Sequence, residues 1–427
     1  MRKFIHYAIA AAAMFDIAHA DAIDDIAHKT MKASPVAGFS VGVMRGGHVV
    51  ALRGYGDMNA GTVSHIDSIS KNITSAAILL LVDEGKLHLD DPVEKYVPEM
   101  KGRGATVRNL LNQTSGIPSF TSLPVFDSLA GRSLSHAQIL ALVTNHRNDF
   151  APGTSWRYDN TGFYLLGMIV ERVSGQSYGA YIGALFRRLG MNHSSNGCAA
   201  QGHEVRAGKV IAAKAIAWEN AFAGGSVCST VGDLLIWEQA LQHGGLLRPA
   251  TFVAMTSPTR LADGVVIDYG FGTRLGDLGG HRVMGHTGSG GGFKAVLKYF
   301  PGEDLTIAVL VDTEGDASAN TISTAIARAL LNIPATISDK PAPRLSDYVG
   351  IYRSDDGDVK IFVQNGKLAF GLPGKKKALG VLRYQGDDVF AVDPDVLVKN
   401  KRVGGKLEWI VAYEGGLMMD PKRRDQR

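Results

Sequence analysis

Asp67-Ser68-Ile69-Ser70-Lys71 opens the stretch that decides how this chain is read. It runs into Ile69 to Glu84, where Ile73, Ala76, Ala77, Leu80 and Leu81 recur at helical spacing and Gly85 supplies the stop. Residues three apart on a helix share a face, so Lys71 Nζ can reach Ser68 Oγ. The helix N-terminus adds positive partial charge and free N–H groups beside the serine. That field and burial both favour a neutral lysine, able to accept the serine proton. Taken alone, the five residues also read as an N-cap serine and a solvated lysine, because both residue types are common. Partners elsewhere in the chain decide between the two.

Working outward, Gly38 to Met44 and His48 to Tyr55 predict a strand hairpin around Gly46-Gly47. From about Pro92 to Leu261 helical patterns dominate, with helices predicted over Thr161 to Val173 and Val231 to Leu241. Strands return from Val283. Phe293 to Phe300 and Leu305 to Val311 flank a Pro301-Gly302 turn, and Ala317 to Leu331 is again helical. Strands at both ends of a helical middle predict an α+β domain, an antiparallel sheet flanked by helices with a helical subdomain, over residues 21–335. Residues 336–343 read as a linker. The tail, 344–427, carries short alternating runs at Tyr348 to Tyr352, Val359 to Val363, Lys367 to Phe370, Val389 to Val392 and Trp409 to Tyr413. That spacing predicts a small all-β barrel or sandwich.

Two further clusters carry chemistry. In extended backbone Tyr158 and Asn160 point the same way, so both can face one cleft, the tyrosine relaying protons and the amide holding a substrate carbonyl. A packed Tyr and an Asn at a helix start is the competing reading. His286-Thr287-Gly288-Ser289 leads through Gly290-Gly291-Gly292 into a strand, where glycines admit a substrate backbone and the strand edge can pair with it. The main-chain N–H of Ser289, with that of Ser68, is placed to meet an oxyanion. A flexible glycine loop is the plain alternative.

In this order and wide spacing the three clusters resemble the β-lactamase-related serine hydrolases, in their class C-like branch. Glu84 to Val93, Leu110 to Pro118, Tyr158 to Gly167, Ala223 to Val227 and Gly285 to Gly288 extend the similarity over roughly residues 30–332. The tail resembles the lipocalin-like domain that some members carry. The resemblance implies that Ser68 attacks a carbonyl and is acylated, that Lys71 and Tyr158 share the proton transfers, and that Asn160, His286, Thr287, Gly288 and Ser289 bind substrate. His286 stands where class C β-lactamases and penicillin-binding proteins carry the lysine of a Lys-Thr-Gly triplet, a departure that removes an obligate cation for a substrate carboxylate. The expectation is an ester or amide hydrolase acting on a small molecule or peptide, cell-wall-derived peptides included, with a weaker, pH-dependent anchor at His286. A true β-lactamase or D-alanyl-D-alanine carboxypeptidase is the first alternative. A non-catalytic cell-wall-binding or assembly protein is the second.

Bulk properties narrow the field further. The 427 residues are 45% hydrophobic with a formal charge of +4, acids and bases intermixed, so no nucleic-acid footprint is present. Arg2-Lys3, an apolar Phe4 to Phe15 and Ala18-His19-Ala20 read in order as a signal peptide over 1–20, predicting export to a periplasmic or secreted location. No later segment predicts a membrane span. Cys198 and Cys228 lie outside any C-x-x-C pair, and the sequence leaves open whether they bond or stay as buried thiols. No H-E-x-x-H or nucleotide-loop motif occurs, so no metal and no cofactor are expected. His281 and His286 read as packing or hydrogen-bonding residues.

Overall fold

The computed structural model describes residues 21–425 apart from 343, 355, 356 and 376; the signal-peptide reading lies outside the described residues. Six antiparallel strands form the sheet of the larger part: β1 (Gly38–Arg45), β2 (His48–Gly56), β3 (Arg274–Leu278), β4 (His281–Gly290), β5 (Phe293–Phe300) and β6 (Leu305–Val311), in the order β2-β1-β6-β5-β4-β3. The strict period of two sorts β1 between faces. Phe39, Val41 and Val43 enter one core with Ile322 and Ile326 of a helix at Ala319–Leu331 and with Ile23 and Ala27 of a helix over 21–33. Gly42, on the opposite face, lies against Val231 and Leu235 of a helix at Val231–Gln242.

On that second face sits the helical lobe. Its central helix, α1 (Ser70–Asp83), is buried on nearly every side, its polar Lys71, Asn72, Thr74 and Ser75 included. Against it packs α2 (Asn160–Ser174), started by the Asp159 carboxylate accepting from Gly162 N and stopped by Gly175 in the left-handed region. The lobe also holds short strands that the helical reading of 92–261 misses, including the hairpin His203–Arg206 with Lys209–Ala212. Cys198 and Cys228 are joined in a disulfide, Cα atoms 6.1 Å apart, which ties the loop after the short strand Ser195–Asn196 to the strand Val227–Ser229 that pairs with it.

The tail forms a closed eight-stranded barrel: β7 (Gly350–Arg353), β8 (Val359–Gln364), β9 (Lys367–Gly371), β10 (Gly380–Gly386), β11 (Val389–Asp393), β12 (Val396–Val403), β13 (Lys406–Glu414) and, after a two-residue β14 (Leu417–Met418), β15 (Lys422–Arg424). Closure comes from β15 pairing with both β7 and β13. The barrel does not stand off from the rest. Gly276 of β3 pairs with Leu417 of β14, so hydrogen bonding runs without a break from the first sheet into the barrel.

Candidate active site

Ser68 sits in a single 3₁₀ turn, Asp67–Ile69, that feeds α1. Asp67 just before it holds φ at 48°, a strained value for a residue with a Cβ. Strand β4 presses on this turn. Gly288 is needed there, because a Cβ would fall 2.3 Å from the Ile66 carbonyl oxygen. The glycine therefore brings Thr287, Gly288 and Ser289 onto the wall of the cleft that contains Ser68.

Lys71, one turn into α1, is wholly buried. Its Nζ lies 3.0 Å from Ser68 Oγ and donates to the Gly224 carbonyl at 2.8 Å. Burial, then the nearby Arg274 cation, lower its pKa to about 7, against weaker opposing pulls from Asp159, Asp67 and Asp420. Tyr158 places its ring 4.8 Å from the same Nζ, and its phenol hydrogen-bonds with Ser68. Burial raises the phenol well above its ordinary value, so it stays protonated. The division of labour follows: Lys71 is the group able to accept a proton near neutrality, and Tyr158 is one able to donate. Asn160 donates from Nδ2 to Thr121 Oγ1 at 2.9 Å, and its Oδ1 and Lys71 Nζ both border the space where a Cβ on Gly224 would lie, at 3.8 and 3.6 Å.

His286 differs from its expected role. It lines a small hollow with Ile69, Asn72 and Leu297, separate from the wall around Ser68. Its Nδ1 is 2.6 Å from the Thr287 carbonyl, and Nε2 is 3.4 Å from the Tyr269 hydroxyl. Burial, with the Arg274 and Lys71 charges beside it, holds the imidazole well below its ordinary pKa. Burial and the two cations thus favour the neutral imidazole, against the expectation of a titrating anchor there.

Two residues that sequence reasoning missed complete the constellation. Arg274 of β3 is buried with its guanidinium 5.3 Å from the Tyr158 ring centroid. It donates to the Met418 carbonyl at 2.6 Å and to Asp420 Oδ1 at 3.0 Å. Asp420 comes from the barrel, and with Tyr158 it lines both lobes of the cleft, about 590 Å³ around Ser68 and about 730 Å³ around Asn160. Arg274 lies between the helical stretch read to about Leu261 and the strands read from Val283, and Asp420 lies far along the tail, so neither had a local motif. Lys294 lines the Ser68 lobe as well, its ammonium donating to the Gly315 carbonyl at 2.7 Å. Elsewhere, ligand atoms of His65, Cys198 and Cys228 cluster within 4.8 Å, but the disulfide occupies both sulfurs and leaves one nitrogen, too few for a metal.

A profile of the Beta-lactamase family matches residues 23–331, well over half of the chain. Penicillin-binding protein 4* of Bacillus subtilis (strain 168) is 27% identical over 352 residues, 74% of this chain and 78% of that protein. The D-aminopeptidase of Brucella canis is 27% identical over 319 residues, 70% of this chain and 60% of its own length. A D-stereospecific amidohydrolase from Streptomyces sp. superposes with a TM-score of 0.63 at 26% identity, over 72% of this chain and 97% of the other. The octameric penicillin-binding protein homologue from Pyrococcus abyssi shares the fold across 93% of this chain and 99% of its own, with a TM-score of 0.65 at 24% identity. With this profile match, and a buried lysine beside a serine at the head of α1, the chain is a serine hydrolase of the β-lactamase family.

Proposed function

We propose that the protein is an exported amidohydrolase that cleaves a small aminoacyl or peptide amide, of D configuration, through an acyl-enzyme on Ser68. The observation that carries this is the Lys71 ammonium group, buried, 3.0 Å from Ser68 Oγ and with a pKa near 7. Neutral Lys71 takes the Ser68 proton as Oγ attacks the carbonyl carbon. The N–H groups of Ser68 and Ser289 receive the oxyanion. As the C–N bond breaks, Tyr158 gives its proton to the leaving nitrogen and is reprotonated from Lys71. Water then attacks the acyl carbon, its proton passing to Lys71, and Ser68 leaves with a proton returned. Asn160 orients the acyl part.

Amide over β-lactam chemistry is favoured by charge. His286 is neutral, and the Arg274 cation is already answered by Asp420, so a carboxylate beside the catalytic pair meets no unpaired cation from either residue. The D configuration rests on the D-aminopeptidase and D-stereospecific amidohydrolase relatives. Export rests on the sequence of residues 1–20 and fits a disulfide formed in an oxidising compartment. A panel of D- and L-aminoacyl p-nitroanilides, p-nitrophenyl esters and a chromogenic cephalosporin tests the reading. D-Aminoacyl amides should lead and the cephalosporin should trail. Efficient cephalosporin hydrolysis, unchanged between pH 6 and 8, would move the assignment to a β-lactamase. Failure of a fluorophosphonate to label the protein at all would leave a binding protein on this fold.

A further inference from the structure

The outer surface of the barrel carries a charge pattern that the proposed chemistry does not use. Acids and bases are intermixed over most of the chain, but residues 359–383 hold six cations, Lys360, Lys367, Lys375, Lys376, Lys377 and Arg383, and no Asp or Glu. Among the described residues only Lys367 of these forms an ion pair, with Asp339 at 2.6 Å. The same stretch exposes apolar side chains. Val363, Leu372, Leu379 and Val381 all lie open to solvent, Leu379 to 63%.

Leu372 and Leu379 belong to a tongue that joins β9 to β10, and backbone hydrogen bonds fix its shape. Leu372-Pro373-Gly374-Lys375 has the proline and left-handed glycine of a type II turn, Gly374 at φ 75°, with Lys375 N donating to the Leu372 carbonyl at 3.1 Å. Leu379 N donates to the Phe370 carbonyl at 2.8 Å and closes the base. Both leucines, and the exposed Lys375 and Lys377, are therefore presented by ordered backbone. The strands extend the patch. Ile361, Leu368 and Leu382 point into the barrel, so Phe362 and Val381, each paired with Ala369, point outward. Phe362 borders Gly371 at the base of the tongue, and Lys360 Nζ lies 5.5 Å from its ring centroid.

We infer that this face of the barrel docks on an anionic lipid bilayer, with Leu372 and Leu379 entering the headgroup layer and the lysines around them meeting lipid phosphates. An apolar anchor and a polybasic patch reinforce one another at a bilayer, where either alone binds marginally. A second copy of the chain fits the face poorly, because a two-fold contact would set these cations against each other. A soluble polyanion would engage the lysines and leave the leucines idle.

Co-sedimentation of the full chain with phosphatidylcholine vesicles, with and without phosphatidylglycerol, tests the surface. Binding is expected where phosphatidylglycerol is present, and should fall away at about 0.5 M salt, where charges are screened within a few ångström. Each lysine near an anionic surface tightens binding about fivefold, so Lys375→Gln with Lys377→Gln should weaken partitioning about 25-fold. Leu372→Ser with Leu379→Ser should weaken it by about tenfold or more. All four side chains are exposed, so both double variants should keep the wild-type melting transition. The inference is overturned if anionic vesicles capture none of the protein, or if either folded variant binds them as tightly as the wild type. Loss of binding in the lysine variant but not in the leucine variant, with heparin displacing the protein, would make the surface a site for a soluble polyanion instead.

Discussion

The molecule contains two buried lysines built to almost the same plan, one in the cleft and one where the sheet meets the barrel. Lys71 Nζ touches the Ser68 hydroxyl at 3.0 Å and the Gly224 carbonyl at 2.8 Å. Lys298 Nζ, on β5, touches the Thr324 hydroxyl at 2.8 Å and the Gly415 carbonyl at 2.9 Å. Burial lowers both to a pKa of about 7. What separates them is the hydroxyl. Ser68 opens on a cleft, whereas Thr324 is buried and commits its own proton to the Asn320 carbonyl at 2.6 Å. A basic lysine beside a hydroxyl is thus not a catalytic site by itself. Access for a carbonyl carbon, and a second proton donor such as Tyr158, make the difference.

The largest effect expected from breaking this comparison comes at the hydroxyls. Ser68→Ala should cut turnover by about 10⁴-fold or more and abolish covalent labelling, as loss of a nucleophile does. Thr324→Val should leave kcat/KM within about twofold. Labelling that persists in Ser68→Ala would show that another serine reacts.

At the lysines the contrast is smaller but has a pH signature. Lys71 accepts a proton only when neutral, so kcat/KM should rise with pH through about 7 and flatten above it. Lys71→Met should lower kcat/KM by about 10²–10⁴-fold and remove that rise, whereas Lys298→Met should keep it. A rise that survives in Lys71→Met would assign the base elsewhere.

The smallest effect concerns stability. Lys298 has a folded-state pKa of about 7 against an ordinary 10.5, so between those values the unfolded chain holds a proton that the folded chain has shed. Stability contributed by this group therefore rises with pH from about 7 to 10.5 and is level below. Urea unfolding of the wild type at pH 6 and 9 should show that rise. Lys71 adds a rise of its own, while the buried Asp159 and Glu238 carboxyls, raised to about 7, oppose it below that pH. Lys298→Met should therefore make the rise smaller without changing labelling of Ser68. An equal rise in the variant would show that Lys298 carries no titrating charge in the fold.

How legible all this was from sequence varied with how local the signal is. Ser68 and Lys71 share one helical turn, and the β1–β2 hairpin announces itself at Gly46-Gly47, so both are read from adjacent residues. Strand β12, Val396–Val403, was missed because its second half is Lys, Asn, Lys and Arg, which a barrel exterior tolerates but a hydrophobic pattern does not show. Arg274 and Asp420 act as a pair only after chain closure, across a sequence separation of 146. The neutrality of His286 could not be seen either. It depends on Tyr269, Arg274 and Lys71 packing around an imidazole that sequence alone leaves with its ordinary pKa.

The pairing of β1 with β6 also sets a clock. Gly38 N donates to Asp312 Oδ1 across a sequence separation of 274, and Phe39 lies opposite Val311. At a synthesis rate of roughly 5–20 residues per second, about 14–55 seconds pass between the making of those two strands. Until then β1 has a partner on only one edge, and for most of that time Ser68 lacks the β4 wall that completes its cleft. Strand pairing this distant is slow to form and leaves an edge open to misassociation. A nascent chain of this protein is accordingly inert as a hydrolase and in greatest need of a holding chaperone over the same interval.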